Sequence, residues 1–126
     1  MINEYINTEN APQAVGPYSQ AVRSGNLIFV SGQLPLDPVS GEMVGDDAAT
    51  QAVQCLKNIL AILGEQHGQA GDIVKVTIYL KDMNDFGAVN EVYATFFNGK
   101  YPARVCVEVS RLPKDALVEI DCIAAE

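Results

Sequence analysis

Hydrophobic residues in this chain recur at two different spacings, and the alternation between them limits the fold more than any other feature. From about Asp46 the positions Ala49, Ala52, Val53, Leu56, Ile59, Leu60 and Leu63 keep i, i+3, i+4, i+7 spacing, which predicts an amphipathic helix. Asp46 and Asp47 suit its positive end, and Gly64 or Gly68 can end it. A second helix is predicted from about Asn84 to Phe97, with Phe86, Val89, Tyr93, Phe96 and Phe97 as its buried stripe. Asn84 or Asp82 can cap it, and Asn98-Gly99 stops it.

Around these helices the spacing drops to two. Ile2 to Ile6 predicts a first strand, and Gln20 to Ser24 with Leu27 to Ser31 flank Gly25-Asn26 as a hairpin. Residues 32–45 hold too many glycines and prolines for anything but a loop with at most a brief paired segment. Ile73 to Leu80 predicts a strand with Val74, Val76, Ile78 and Leu80 on one face. In the last strand, Leu117 to Ala124, Val118, Ile120, Cys122 and Ala124 oppose Glu119, Asp121 and Ile123. Two amphipathic helices among about six strands pack most economically on one face of a single mixed sheet, an α+β architecture. The other sheet face then needs a cover, and a closed homo-oligomer supplies one.

With 126 residues the expectation is a single domain over 1–126. No apolar run approaches the ~20 residues that span a bilayer. The opening MINEYINTEN also lacks the layout of a signal peptide, so a cytoplasmic protein with no membrane partner is expected. A formal charge of −8 disfavours nucleic acid as a partner. Cys55, Cys106 and Cys122 have no paired spacing and there is one histidine, His67, so reduced thiols are expected, with no disulfide framework and no metal site.

One strand raises a chemical question. In Tyr101-Pro-Ala-Arg-Val-Cys-Val-Glu-Val109 the valines at 105, 107 and 109 alternate as a buried face should, leaving Arg104, Cys106, Glu108 and Ser110 on the other. That second set is either a solvated outer face or part of a site that needs a fixed cation.

Motifs spread over nearly the whole chain bear on the choice. Gly16-Pro-Tyr-Ser-Gln-Ala21, Phe29-Val-Ser-Gly-Gln33, Pro102-Ala-Arg104 with Val107-Glu-Val109, Leu112-Pro-Lys114 and Val118-Glu-Ile120 together resemble the RidA (YjgF) family. The resemblance implies a chorismate-mutase-like α+β protomer, a homotrimer with clefts between subunits, and 2-iminobutanoate/2-iminopropanoate deaminase activity without any cofactor. The implied substrate is a small carboxylate beside an electrophilic C=N carbon. Such a reaction needs a fixed cation, an activated water and a proton donor for the leaving nitrogen.

Arg104 fits the first need, because a guanidinium holds a carboxylate bidentately. Glu119 is the candidate acid and base, and Tyr18 a pocket wall whose hydroxyl bonds substrate or water. Cys106 is assigned to binding, and Ser31, Gly32 and Asn90 match cleft positions of the family. A tight hairpin joining the last two strands would hold Arg104 and Glu119 on the order of 15 Å apart. Either those strands are not neighbours or the site joins two subunits. A second functional reading is a trimer that binds 2-oxo acids or other small carboxylates without turnover; a third, ribonuclease, conflicts with the acidic balance.

Overall fold

A computed structural model describes residues 2–126 of the protein. Strand β1 (Glu4–Ile6) and the hairpin β2 (Ala21–Ser24) and β3 (Leu27–Gln33) precede helix α1 (Ala48–Gly64). Strand β4 (Ile73–Leu80), helix α2 (Phe86–Ala94), and strands β5 (Ala103–Glu108) and β6 (Val118–Ala125) follow. The six strands form one mixed sheet in the order β1-β2-β3-β6-β4-β5, with the two helices packed together on one face. This is the α+β arrangement that the periodicities predict.

Local chemistry sets the elements. Gly25, at a φ of 63°, makes the tight turn between β2 and β3. Asp47 caps α1 by accepting from the Thr50 amide at 2.8 Å, and this bond holds its carboxyl below the usual range. The helix therefore begins at Ala48, two residues later than the spacing suggests. Cys55, Leu56, Ile59, Ile62 and Leu63 form its core stripe, each no more than 2% exposed, whereas Val53 and Leu60 lie at the stripe's edge. Gln51 and Asn58 are also buried, and periodicity gives no sign of it. Gln51 accepts from the Leu117 amide and donates to the Gly45 carbonyl; Asn58 donates to the carbonyls of Leu34 and Leu36. Both bind loops to the helix. The second helix is shorter than predicted: Asp82 caps a single 3-10 turn at 83–85, and residues 95–97 leave α2 in tighter turns.

Two strand predictions need correction. A register shift between Ile73 and Lys75 against β6 turns Ile73 inward and leaves Val74 45% exposed, so only Val76, Ile78 and Leu80 of the predicted set are buried. On β5 the faces are the reverse of the prediction. Val105 and Val107 are 42% and 38% exposed, while Arg104 and Cys106 lie on the helix side. The reason is register: β5 runs parallel to β4, with Arg104 opposite Val76 and Cys106 opposite Ile78, and those partners point into the core. Alternation defines two faces without saying which is inside.

Strands β5 and β6 are not neighbours. The link between them crosses the end of β4, where the Val109 amide bonds the Leu80 carbonyl and the Lys81 amide bonds the Leu117 carbonyl. Strand β6 thus enters the sheet between β3 and β4. The sheet face away from the helices carries Leu27, Phe29, Val105 and Val107, all at least 36% exposed.

Candidate functional site

The predicted site residues fall into two clusters. The first is built on Arg104, at the start of edge strand β5, where the facing helix α2 presents Phe86, Asn90 and Tyr93 at i, i+4 and i+7. Arg104 donates from Nη1 to Asn90 Oδ1 at 2.6 Å. Its guanidinium carbon lies 5.5 Å from the centre of the Phe86 ring and 4.9 Å from that of Tyr93. The two ring faces and one amide oxygen therefore fix the plane of the cation. Among the described residues no carboxylate pairs with it, so its remaining N–H groups are available to an anion.

Asn90, Tyr93, Tyr101, Pro102 and Arg104 line a cleft of about 430 Å³. The Tyr93 hydroxyl is buried and has no partner among the described residues. Cys106 sits two residues beyond Arg104 on the same face. Burial pushes its thiol up, and the nearby Arg104 pulls in the opposite direction.

The second cluster surrounds Glu119, on the opposite sheet face. Val15, Tyr18, Ser31, Gly32, Leu34, Pro113 and Glu119 line a cleft of about 420 Å³. Burial, and then the negative charge of Asp121 two residues on, raise the Glu119 carboxyl above the usual range. Tyr79, opposite Glu119 on β4, donates its hydroxyl to Asp121 Oδ2 at 2.9 Å.

Gly32 lies where the register between β3 and β6 shifts, and the carboxylate occupies the space a side chain there would need. A Cβ on Gly32 would stand 2.0 Å from Glu119 Oε2. Ser31 is locked from both ends, its hydroxyl donating to the Ser19 carbonyl at 2.6 Å and its amide to the Gln20 carbonyl at 2.9 Å. Tyr18 is 48% exposed at the mouth, with its hydroxyl accepting from the Val15 amide at 3.4 Å.

The structure brings Tyr18, Ser31, Gly32 and Glu119 together, and separately Asn90, Arg104 and Cys106; it does not unite the two sets within one chain. Arg104 is level with Val76 and Cys122 across the sheet, Glu119 with Tyr79 and Val107. Three residues along and two strands across is roughly 14 Å, and the side chains leave opposite faces. Each cluster offers half of what a small carboxylate substrate needs: one a cation, the other an acid-base group in a glycine-lined recess. Sequence reasoning passed over Phe86 and Tyr93 as core alone. The signal was there in Asn90, a polar residue set between two aromatics on one helical stripe. His67 lies on an exposed turn with a φ of 59° and lines neither cleft.

Comparison with known proteins gives a consistent set of likenesses. The sequence profile described as endoribonuclease L-PSP matches residues 8–126. A protein of Escherichia coli K12 named 2-iminobutanoate/2-iminopropanoate deaminase is 52% identical over 126 residues, covering 98% of each chain. A RutC family protein of Pyrococcus horikoshii is 56% identical over 123 residues, again covering 98% of each. Among solved structures, the YjgF gene product of E. coli superimposes with a TM-score of 0.93 at 50% identity, covering 98% of both chains. E. coli TdcF with bound serine does so with a TM-score of 0.93 at 44% identity, with the same coverage.

Proposed function

The chain belongs to the endoribonuclease L-PSP family, which includes the RidA (YjgF) proteins, and from that membership we propose that it hydrolyses 2-imino acids to 2-oxo acids and ammonia. The observation that carries the reading is the pairing of an arginine held ready for a carboxylate with a glutamate whose proton affinity is raised. A pure carboxylate-binding protein needs only the first.

In this reading the clefts meet between subunits of a homotrimer. The exposed Phe29, Val105 and Val107 on the open sheet face supply apolar surface for the contact. Arg104 of one subunit then faces Glu119 of its neighbour, which removes the separation found within one chain. Arg104 clamps the substrate carboxylate edge-on, while Asn90 and the two rings keep the guanidinium plane fixed. Glu119 takes a proton from water as the oxygen adds to the C=N carbon. It passes that proton to the nitrogen, giving a carbinolamine, then takes the hydroxyl proton as the C=O bond forms and hands it to the nitrogen, so that the C–N bond breaks and ammonia leaves. A carboxyl with a raised pKa suits both halves of the exchange. Tyr18 and Ser31 hold the water or the nitrogen.

The test is 2-oxo acid formation from enamine generated in situ by a serine/threonine dehydratase, with wild type, Arg104→Ala and no protein, each assembly sized by light scattering. Acceleration by wild type that vanishes in Arg104→Ala, with the trimer intact, supports the reading. No acceleration by wild type removes it.

One observation favours a second reading, a trimer that binds small carboxylates without turnover: a relative of this fold holds serine. Tight binding of 2-oxo acids without imine hydrolysis would select it. The ribonuclease activity in the family's name has against it a net charge of −8 and a single histidine that lines neither cleft.

A further inference from the structure

The open face of the sheet carries two carboxyls side by side. Glu119 and Asp121 are alternate residues of β6, so both leave the same face, from backbone positions about 7 Å apart. Tyr79, level with Glu119 on β4, sends its hydroxyl diagonally past it to Asp121 Oδ2 at 2.9 Å. Burial first, and then this bond, raise the Tyr79 hydroxyl above its ordinary value, so it remains a donor at neutral pH. No cation is paired with either carboxyl: among the described residues the ion pairs are Arg23–Glu126 and Arg111–Asp115. Lys75 on β4 stands level with Ile123, one step beyond Asp121, and Lys114 is exposed next to Pro113 of the recess. The other groups around Glu119 are Tyr18 at the mouth and, across the sheet, the buried Cys55 thiol, kept neutral by burial; Val107 of β5, level with Tyr79, adds no charge. Tyr79 and Asp121 line neither the Glu119 cleft nor the Arg104 cleft, so any effect they have on the chemistry passes through Glu119.

We infer that Tyr79 and Asp121 are positioning residues for the hydrolysis: Tyr79 anchors the Asp121 carboxylate beside Glu119, and that fixed negative charge strengthens Glu119 as a base toward water. The inference rests on the deaminase reading. Burial is the larger influence on the Glu119 carboxyl, and Asp121 adds to it in the same direction. The two differ in what they leave free. Deeper burial closes the recess to substrate and water, whereas a charge held outside the cleft tunes the base and keeps the recess open. The bond from Tyr79 matters because an unanchored carboxylate turns to solvent, where its field is screened.

The experiment has two arms. In the first, kcat for imine hydrolysis is measured against pH for wild type, Asp121→Asn, Tyr79→Phe and Asp121→Glu, with the dehydratase in excess so that it never limits. Asp121→Asn is expected to move the acid limb of the profile to lower pH and to lower the plateau by about threefold, with KM little changed. Tyr79→Phe is expected to move the limb the same way by less, and Asp121→Glu, which restores the charge, to keep the wild-type limb. In the second arm, carbon NMR titrates the Glu119 side-chain carboxyl in the same proteins without substrate, its signal assigned by its loss in Glu119→Gln. The midpoint is expected to fall in the order wild type, Tyr79→Phe, Asp121→Asn. Any subunit that the assembly places nearby, with its Arg104, is present alike in every variant. A limb and a midpoint that stay put in Asp121→Asn, or an equal loss of rate at every pH in all three variants, overturn the inference and leave the pair a structural contact. If wild type hydrolyses no imine, the deaminase reading fails, and the NMR midpoints decide by themselves whether Asp121 governs the Glu119 carboxyl.

Discussion

Replacing Gly32 by alanine tests the Glu119 recess more sharply than deleting the glutamate. The new Cβ would stand 2.0 Å from Oε2 and 3.0 Å from Cδ, whereas ordinary contact begins at 3.4 Å. The carboxylate must therefore retreat by about 1.4 Å, the difference between the first and last of these distances. Because it is the end of a flexible side chain, the backbone has no need to move. Gly32 is not in the left-handed region, so alanine suits its backbone, and the stability change is expected to lie within about 1 kcal/mol of zero.

A displacement above 1 Å of an acid-base group costs on the order of 100-fold in rate, or about 2.7 kcal/mol in the barrier. The expected outcome for Gly32→Ala is therefore a kcat for imine hydrolysis lower by about that factor. The affinity for 2-oxo acids should change much less, because the Arg104 cluster is untouched, and the melting temperature should be nearly unaltered. The assay is the dehydratase-coupled one, with thermal melts alongside. A variant with wild-type kcat would show that the position of Glu119 is immaterial and would refute the reasoning.

Three further outcomes are expected. Burial and Asp121 raise the Glu119 carboxyl in the folded protein, so its contribution to stability is fully present below its unfolded value near 4.3 and is lost as pH rises through the folded one. Glu119→Gln should thus melt at or above wild type at pH 8, with the gap closing toward pH 4; a variant uniformly less stable would reverse that sign. Burial pushes Cys122 up to about 12 and Cys55 well above its usual value, so a thiol reagent at pH 8 should label Cys106 alone, and a bound 2-oxo acid should slow that labelling. Labelling of more than one thiol in the folded protein, or none slowed by ligand, counts against the assignment. Tyr93→Phe removes a buried hydroxyl that has no partner among the described residues and keeps the ring under Arg104, so it should leave activity intact and stability unchanged or higher by about 1 kcal/mol. Tyr93→Leu should instead weaken 2-oxo acid binding about threefold or more. Equal effects from the two variants would deny the ring its part in holding the cation.

The sequence by itself determined the elements of this protein and their class. Periods of two and 3.6 are local consequences of backbone geometry, so they survive in the linear order of residues and predict six strands, two helices and one mixed sheet. Aspartates before apolar runs and Gly25-Asn26 between two strands act over a few residues and were legible for the same reason. The RidA-like motifs contain Tyr18, Ser31, Gly32, Arg104 and Glu119, whereas Asn90 and Cys106 lie outside them, and no motif said which of these residues meet.

That was decided by tertiary pairing. Whether Arg104 or Val105 faces the helices depends on the parallel register with Val76 of β4, a strand that ends at Leu80, well before β5 begins at Ala103. The burial of Gln51 and Asn58 depends on loops that reach α1 only in the folded chain. The entry of β6 between β3 and β4 puts Gly32 under Glu119 and holds Arg104 on the other face of the sheet. Hydrophobic pattern fixes what a segment becomes, because each residue carries its own affinity for water. Which surfaces end up in contact depends on long-range register, and no short stretch of sequence holds that information.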